Sequence, residues 1–190
     1  MLRFIVAYAS LEGQTDKIAH HVAHQIERRG HVARLLDVRG PENTTEAGDF
    51  DAAIVAGSVH MGAHDAALEA FVTRHLNAIR QVPSALLSVS LAAASSDADD
   101  RHGAEECAET FQEKTGWAPD WTKLVAGAVD DRKYGFIKRF FIHALLNRKG
   151  VALEPSGYTE FTDWPALDSF VRDFVTEALA RQAPAGQRAV

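Results

Sequence analysis

Apolar residues fall along the chain in short continuous runs, separated by segments in which they recur every three or four positions. The runs at 4–8, 52–56, 85–91 and 124–129 are rich in branched side chains, and a weaker run covers 32–38. Such runs predict strands buried on both faces, as in a parallel sheet covered by helices. Between them, Ile18, Val22 and Ile26 make the apolar stripe of a helix over about 15–29, with Gly30 as its stop. Leu68, Phe71, Val72, His75 and Leu76 make a second stripe before Pro83. Residues 103–114 are helix-compatible, and Leu167, Phe170, Val171, Phe174 and Val175 predict a terminal helix. Thr162 or Asp163 caps that helix, with Pro165 in its first turn. The alternation predicts a doubly wound α/β domain: a five-stranded parallel sheet with helices on both faces. It fills residues 1–181 as one domain, with a long helical insert at about 130–158 near the fifth strand and a flexible tail at 182–190.

Composition narrows the class. Of 190 residues, 46% are hydrophobic, enough for one domain with a sizeable core. No apolar run approaches the roughly 20 residues of a membrane span. The N-terminal run is too short for a secretory signal and lacks a cleavage site. Cys107 is the single cysteine, so no intrachain disulfide forms, which suits a reducing cytoplasm. The formal charge of −6 argues against a nucleic-acid partner, which would select a broad basic surface.

The charge is uneven. Arg132, Lys133, Lys138, Arg139, Arg148 and Lys149 lie in a stretch with no acidic residue. Within it Phe136, Ile137, Phe140, Phe141, Ala144 and Leu145 share one broad face of a helix over 135–149, with the cations elsewhere around it. A basic amphipathic helix with large aromatics has the composition of a membrane-surface segment, giving peripheral contact with anionic lipid and access to a lipid-soluble partner. The alternative is a helix packed on the sheet edge or on a second subunit; the oligomeric state is left open.

Candidate chemistry collects at the predicted strand ends. Ser10, Glu12, Gly13, Gln14 and Thr15 lie between the first strand and the first helix, where a phosphate can receive backbone N–H groups and hydroxyl donors. Gly13 allows close approach of the backbone. Glu12 would repel phosphate unless its carboxylate turned outward. Neither G-x-G-x-x-G nor G-x-x-x-x-G-K-S/T is present, and a plain capped turn is the alternative. The loop after the third strand reads A-G-S-V-H-M-G-A-H (56–64), and the one after the fourth reads S-V-S-L-A-A-A-S-S-D (88–97). His20 and His24 share a helix face without an evident third metal ligand. Asp97, Asp99 and Asp100 read as a solvated loop, Cys107 and Trp117, Trp121 and Trp164 as packing residues. No nucleophilic triad or carboxylate pair can be assigned, so the catalytic residues are left unnamed and no metal is expected.

Together these segments carry a resemblance. G-Q-T at 13–15, G-S-V-H-M-G-A-H at 57–64, P-S-A-L-L-S-V-S-L at 83–91, W-A-P-D at 117–120, V-A-G-A-V at 125–129 and Y-T-E-F-T-D-W at 158–164 occur in order. With the basic aromatic insert, the chain resembles the bacterial flavodoxin-like protoporphyrinogen IX dehydrogenases of the HemG type over nearly its whole length. The resemblance implies a flavodoxin-like fold, FMN as cofactor, and oxidation of protoporphyrinogen IX in heme biosynthesis with electrons passed to a quinone. It implies that Ser10, Glu12, Gly13, Gln14 and Thr15 hold the FMN phosphate. Ser58, Val59, His60, Met61 and Gly62 would line one side of the flavin ring, and Ser90, Leu91, Ala92, Ala93 and Ala94 the other. His60 and Met61 stand where the family's best-known form carries an arginine and an aromatic residue, and the loop after strand four carries no cation. An anionic porphyrinogen therefore meets less positive charge here. The rival functions are a flavodoxin-type electron carrier and a flavodoxin-fold interaction module without FMN.

Overall fold

Strand β1 (Arg3–Ala9) feeds two cores at once, because successive side chains of a strand point to opposite faces. Phe4, Val6 and Tyr8 pack with Ile18, Val22 and Ile26 of helix α1 (Gln14–Glu27) and with Leu167, Val171 and Phe174 of α4 (Trp164–Gln182). The alternate residues Ile5, Ala7 and Ala9 face Leu68, Phe71 and Val72 of α2 (Ala66–Ile79) and Phe111 of α3 (Ala98–Thr115). Helices therefore cover both faces of the sheet. The computed structural model describes residues 1–40, 49–130 and 157–182. The expected insert helix at 135–149 and the tail beyond residue 182 lie outside these.

In the main sheet, β2 (Val32–Asp37), β1, β3 (Ala52–His60), β5 (Ser84–Ser90) and β6 (Trp121–Ala126) pair in parallel in that spatial order. The short β4 (Ala63–His64) runs antiparallel to the end of β3. Counting only the parallel strands, the order is 2-1-3-4-5, the flavodoxin-like doubly wound topology. The order reverses between β1 and β3, and a cleft opens at the carboxyl ends of such strands. β2 is an edge strand with alternate residues exposed, which accounts for its weaker apolar run.

Several boundaries differ from the pattern-based expectation. The run at 124–129 is not one strand. It breaks at Gly127, and β7 (Ala128–Asp130) pairs antiparallel with β8 (Tyr158–Glu160) in a separate two-stranded sheet. Gly127 donates its N–H to the Ser90 carbonyl at 3.0 Å and accepts from the Phe161 N–H at 3.0 Å, so its backbone joins the two sheets. Residues 97–100 are not a solvated loop but the start of α3. Asp97 caps that helix by accepting from the Asp99 N–H at 2.8 Å, and Asp100 accepts from the Ser95 hydroxyl at 2.7 Å. In α3 the small Ala104 and Ala108 face inward, which leaves little large-residue periodicity to read. Asp163 caps α4 through the Ala166 N–H at 2.9 Å, with Pro165 in the first turn. Thr162 instead donates to the Ala126 carbonyl at 2.7 Å.

Candidate functional site

The loop after β1 is built by a short hydroxyl-closed turn. The Gly13 N–H donates to Ser10 Oγ at 3.1 Å, and Gly13 takes φ +100°, a left-handed conformation that favours glycine. Gly13 is also the N-cap of α1, and no side chain caps that helix. The first N–H groups of a helix have no partner within it. Gln14 and Thr15, which carry two of them, line a cleft of about 260 Å³. Such a terminus suits an anion through its aligned donors and dipole. Arg39, after β2, ties the loop from behind. Its Nη1 donates to the Ser10 carbonyl at 2.9 Å, while its Nε pairs with Asp65 at 3.1 Å.

The Gln14 side chain turns toward the second sheet. Its Nε2 donates to Glu160 at 2.7 Å and to Thr162 Oγ1 at 2.8 Å, and its Oε1 accepts from the Tyr158 hydroxyl at 2.9 Å. Lys17, one turn into α1, pairs with the same Glu160 at 2.8 Å. Burial raises the Glu160 carboxyl, but the hydrogen bonds from Lys17 and Gln14 outweigh it and hold the group below the usual carboxylate range.

The second wall is a tight hairpin. Val59 pairs with His64 and His60 with Ala63, leaving Met61 and Gly62 as the central residues at φ +51° and +81°. Positive φ at both positions is the primed turn that matches strand twist. Met61 is 94% exposed at the tip, and Cys107 Sγ donates to the Gly62 carbonyl at 3.3 Å. Beneath the hairpin, buried His64 meets Ser88 Oγ through Nε2 at 3.2 Å. Burial lowers its pKa to about 4, so the ring is neutral near pH 7. Gly57 leaves room for it, since a Cβ there would lie 2.7 Å from His64 Nδ1 and 2.5 Å from Leu68 Cδ2. The third wall comes from the end of β5, where Ser90 Oγ accepts from the Ala93 N–H at 3.1 Å and shapes the Ala92–Ala94 turn.

Of the residues expected at the site, Ser10, Glu12, Gln14, Thr15, Ser58, Val59, His60, Met61, Ser90 and Leu91 line the cleft together. Gly13, Gly62, Ala92, Ala93 and Ala94 are not among the lining residues. Leu11, Val89, Gly127 and Ala128 line it as well and were not foreseen. The break at Gly127 was the missed signal, a lone glycine inside an apolar run. No lysine or arginine is among these lining residues; the nearby Lys17 and Arg39 are engaged with Glu160 and Asp65. His20 lies near Asp16 at 3.6 Å. Trp117 is buried with its Nε1 donating to Ser84 Oγ at 3.2 Å, Trp121 packs on Phe170 and Phe174, and Trp164 lies against His21.

A flavodoxin-domain family model matches residues 5–152. The chain is 24% identical over 172 residues to a protoporphyrinogen IX dehydrogenase [quinone] of Escherichia coli strain K12, covering 90% of this chain and 94% of that protein. It is 25% identical over 177 residues to a protein of the same description from Leishmania major, covering 93% of this chain and 76% of the other. In structure it is similar to a short-chain flavodoxin associated with a bacterial microcompartment, with a TM-score of 0.54 at 14% identity over 94% of this chain and 99% of that one. At that identity the likeness speaks to fold alone. Among the described residues, no helix is long and apolar enough to cross a membrane. A strand order of this topology, a cleft at its switch point and a family match over most of the chain agree: this chain belongs to the flavodoxin-domain family.

Proposed function

We propose that the chain is an FMN-dependent oxidoreductase that oxidises a porphyrinogen of the protoporphyrinogen IX kind and passes the electrons to a quinone. The observation that carries this reading is the uncapped start of α1 opening into a cleft between two strand-end loops. It occurs in a chain similar over nine-tenths of its length to enzymes described as protoporphyrinogen IX dehydrogenases [quinone].

The donor set fits FMN. The turn of Ser10, Glu12 and Gly13 would frame the phosphate, and the first residues of α1, Gln14 and Thr15, would hold it through backbone N–H groups and the Thr15 hydroxyl. Charge is supplied there by the helix terminus rather than by a side-chain cation. Ser58, Val59, His60 and Met61, with Gly62 completing their turn, would flank one side of the flavin. Ser90 and Leu91 would flank the other, with Ala92, Ala93 and Ala94 supporting them. When bound, FMN supplies reversible transfer of electrons between substrate and acceptor.

The chain's own residues bind, orient and shield. Val59, Met61, Val89 and Leu91 give the cleft apolar surface that would pack against a planar group. His60 is the imidazole at the mouth and can carry a proton between cleft and solvent. The basic stretch at 135–149 would bring the protein to anionic lipid, where a quinone resides.

A turnover assay tests the reading. With oxygen excluded, porphyrin fluorescence should grow from protoporphyrinogen IX only when protein, FMN and a quinone are all present. Product formation that ignores FMN, or none with all three present, would overturn it.

A further inference from the structure

The second sheet gives the cleft wall Ala128, and beyond that Tyr158 and Glu160, with Thr162 just after them, grip the loop that would hold the cofactor phosphate. Gln14 is held on three sides by Tyr158, Glu160 and Thr162, at 2.9, 2.7 and 2.8 Å. Both hydrogens of its carboxamide are used, one by Glu160 and one by Thr162. The side chain cannot turn into the cleft as a donor without breaking them, and its backbone N–H at the first position of α1 is what it offers the site. Thr162 is itself anchored to the Ala126 carbonyl at 2.7 Å, at the end of a main-sheet strand. Glu160 also holds Lys17 and thereby fixes the first turn of the helix at a second point. The tie spans residues 146 apart in sequence.

We propose that Tyr158, Glu160 and Thr162 are positioning residues of the phosphate end of the cleft: through Gln14 and Lys17 they hold α1 so that its first N–H groups meet the cofactor phosphate. The inference rests on the FMN reading above and deepens it. The tie acts on the phosphate end and not on the walls that would flank the flavin, so its loss should weaken FMN and spare riboflavin, which has the same ring without the phosphate. A merely structural role would weaken both alike.

The test is titration of the full chain with FMN and with riboflavin, followed by quenching of flavin fluorescence, for wild type, Tyr158→Phe and Glu160→Gln. Tyr158→Phe removes one hydroxyl and keeps the ring, so it safeguards the test should Glu160→Gln fold poorly. FMN affinity should fall about tenfold in each variant, the scale of one hydrogen bond, with riboflavin affinity unchanged. Unchanged FMN affinity in the variants, or equal losses for the two ligands, would overturn the inference alone. A wild type that binds FMN no more tightly than riboflavin would overturn both the phosphate site and this inference with it.

Discussion

The Arg39 guanidinium holds the Ser10 carbonyl at 2.9 Å and Asp65 at 3.1 Å, so the loop after β1 is tied to the cap of α2. The tie turns a carbonyl away from an anion and places a cation behind the loop that would receive one. Arg39→Ala, by releasing the loop after β1, should lower FMN affinity by about tenfold. Because the Arg39 side chain is 41% exposed and its charge is partly screened, unfolding free energy should change by only about 1 kcal/mol. Flavin titration beside urea unfolding checks both halves.

Gly57 is a position where added bulk is poorly tolerated. A methyl there meets the His64 ring and Leu68, both in the packed layer under the hairpin. Gly57→Ala should cost about 1–3 kcal/mol of stability, the usual cost of overpacking. A urea midpoint equal to that of the wild type would count against the packing described.

Much of the fold was legible in the sequence because burial on both faces leaves unbroken apolar runs. Ile54 and Leu86 announce their strands in this way. The loop after β1 stands out in the sequence as a candidate phosphate site because Ser10, Gly13 and Thr15 stand together between a strand and a helix. Arg39, Tyr158 and Glu160 do not. Each acts through a partner distant in sequence, and nothing local marks an arginine that reaches back 29 residues to Ser10. The end of β3 has a loop-like sequence because Ser58, Val59 and His60 leave the apolar pattern just where the strand leaves the core. The break at Gly127 hid within an otherwise apolar run, where periodicity cannot separate one strand from two.

His64 gives the protein a defined acid sensitivity. Its pKa falls from 6.5 to about 4 on burial, so the unfolded chain binds the extra proton between those values and the folded one does not. Stability therefore drops as pH falls from about 6.5 toward 4, by roughly 3 kcal/mol in all, and this contribution levels off below. Urea unfolding at a series of pH values should show the slope in wild type and a shallower one in His64→Leu, which cannot titrate.

Met61 holds a left-handed backbone without being glycine. Asparagine tolerates that conformation, and Asn-Gly is the preferred pair for this turn. Met61→Asn should raise stability by about 0.5 kcal/mol, read as a higher thermal midpoint in the protein without added flavin. A lower midpoint would contradict this reading of the turn.

The most direct test of the oxidoreductase account follows the flavin absorbance of FMN-loaded protein mixed anaerobically with protoporphyrinogen IX, then with a quinone. The account predicts that the oxidised-flavin band falls on the first addition and returns on the second. A band that responds only to an external reductase would contradict it and mark the chain as an electron carrier.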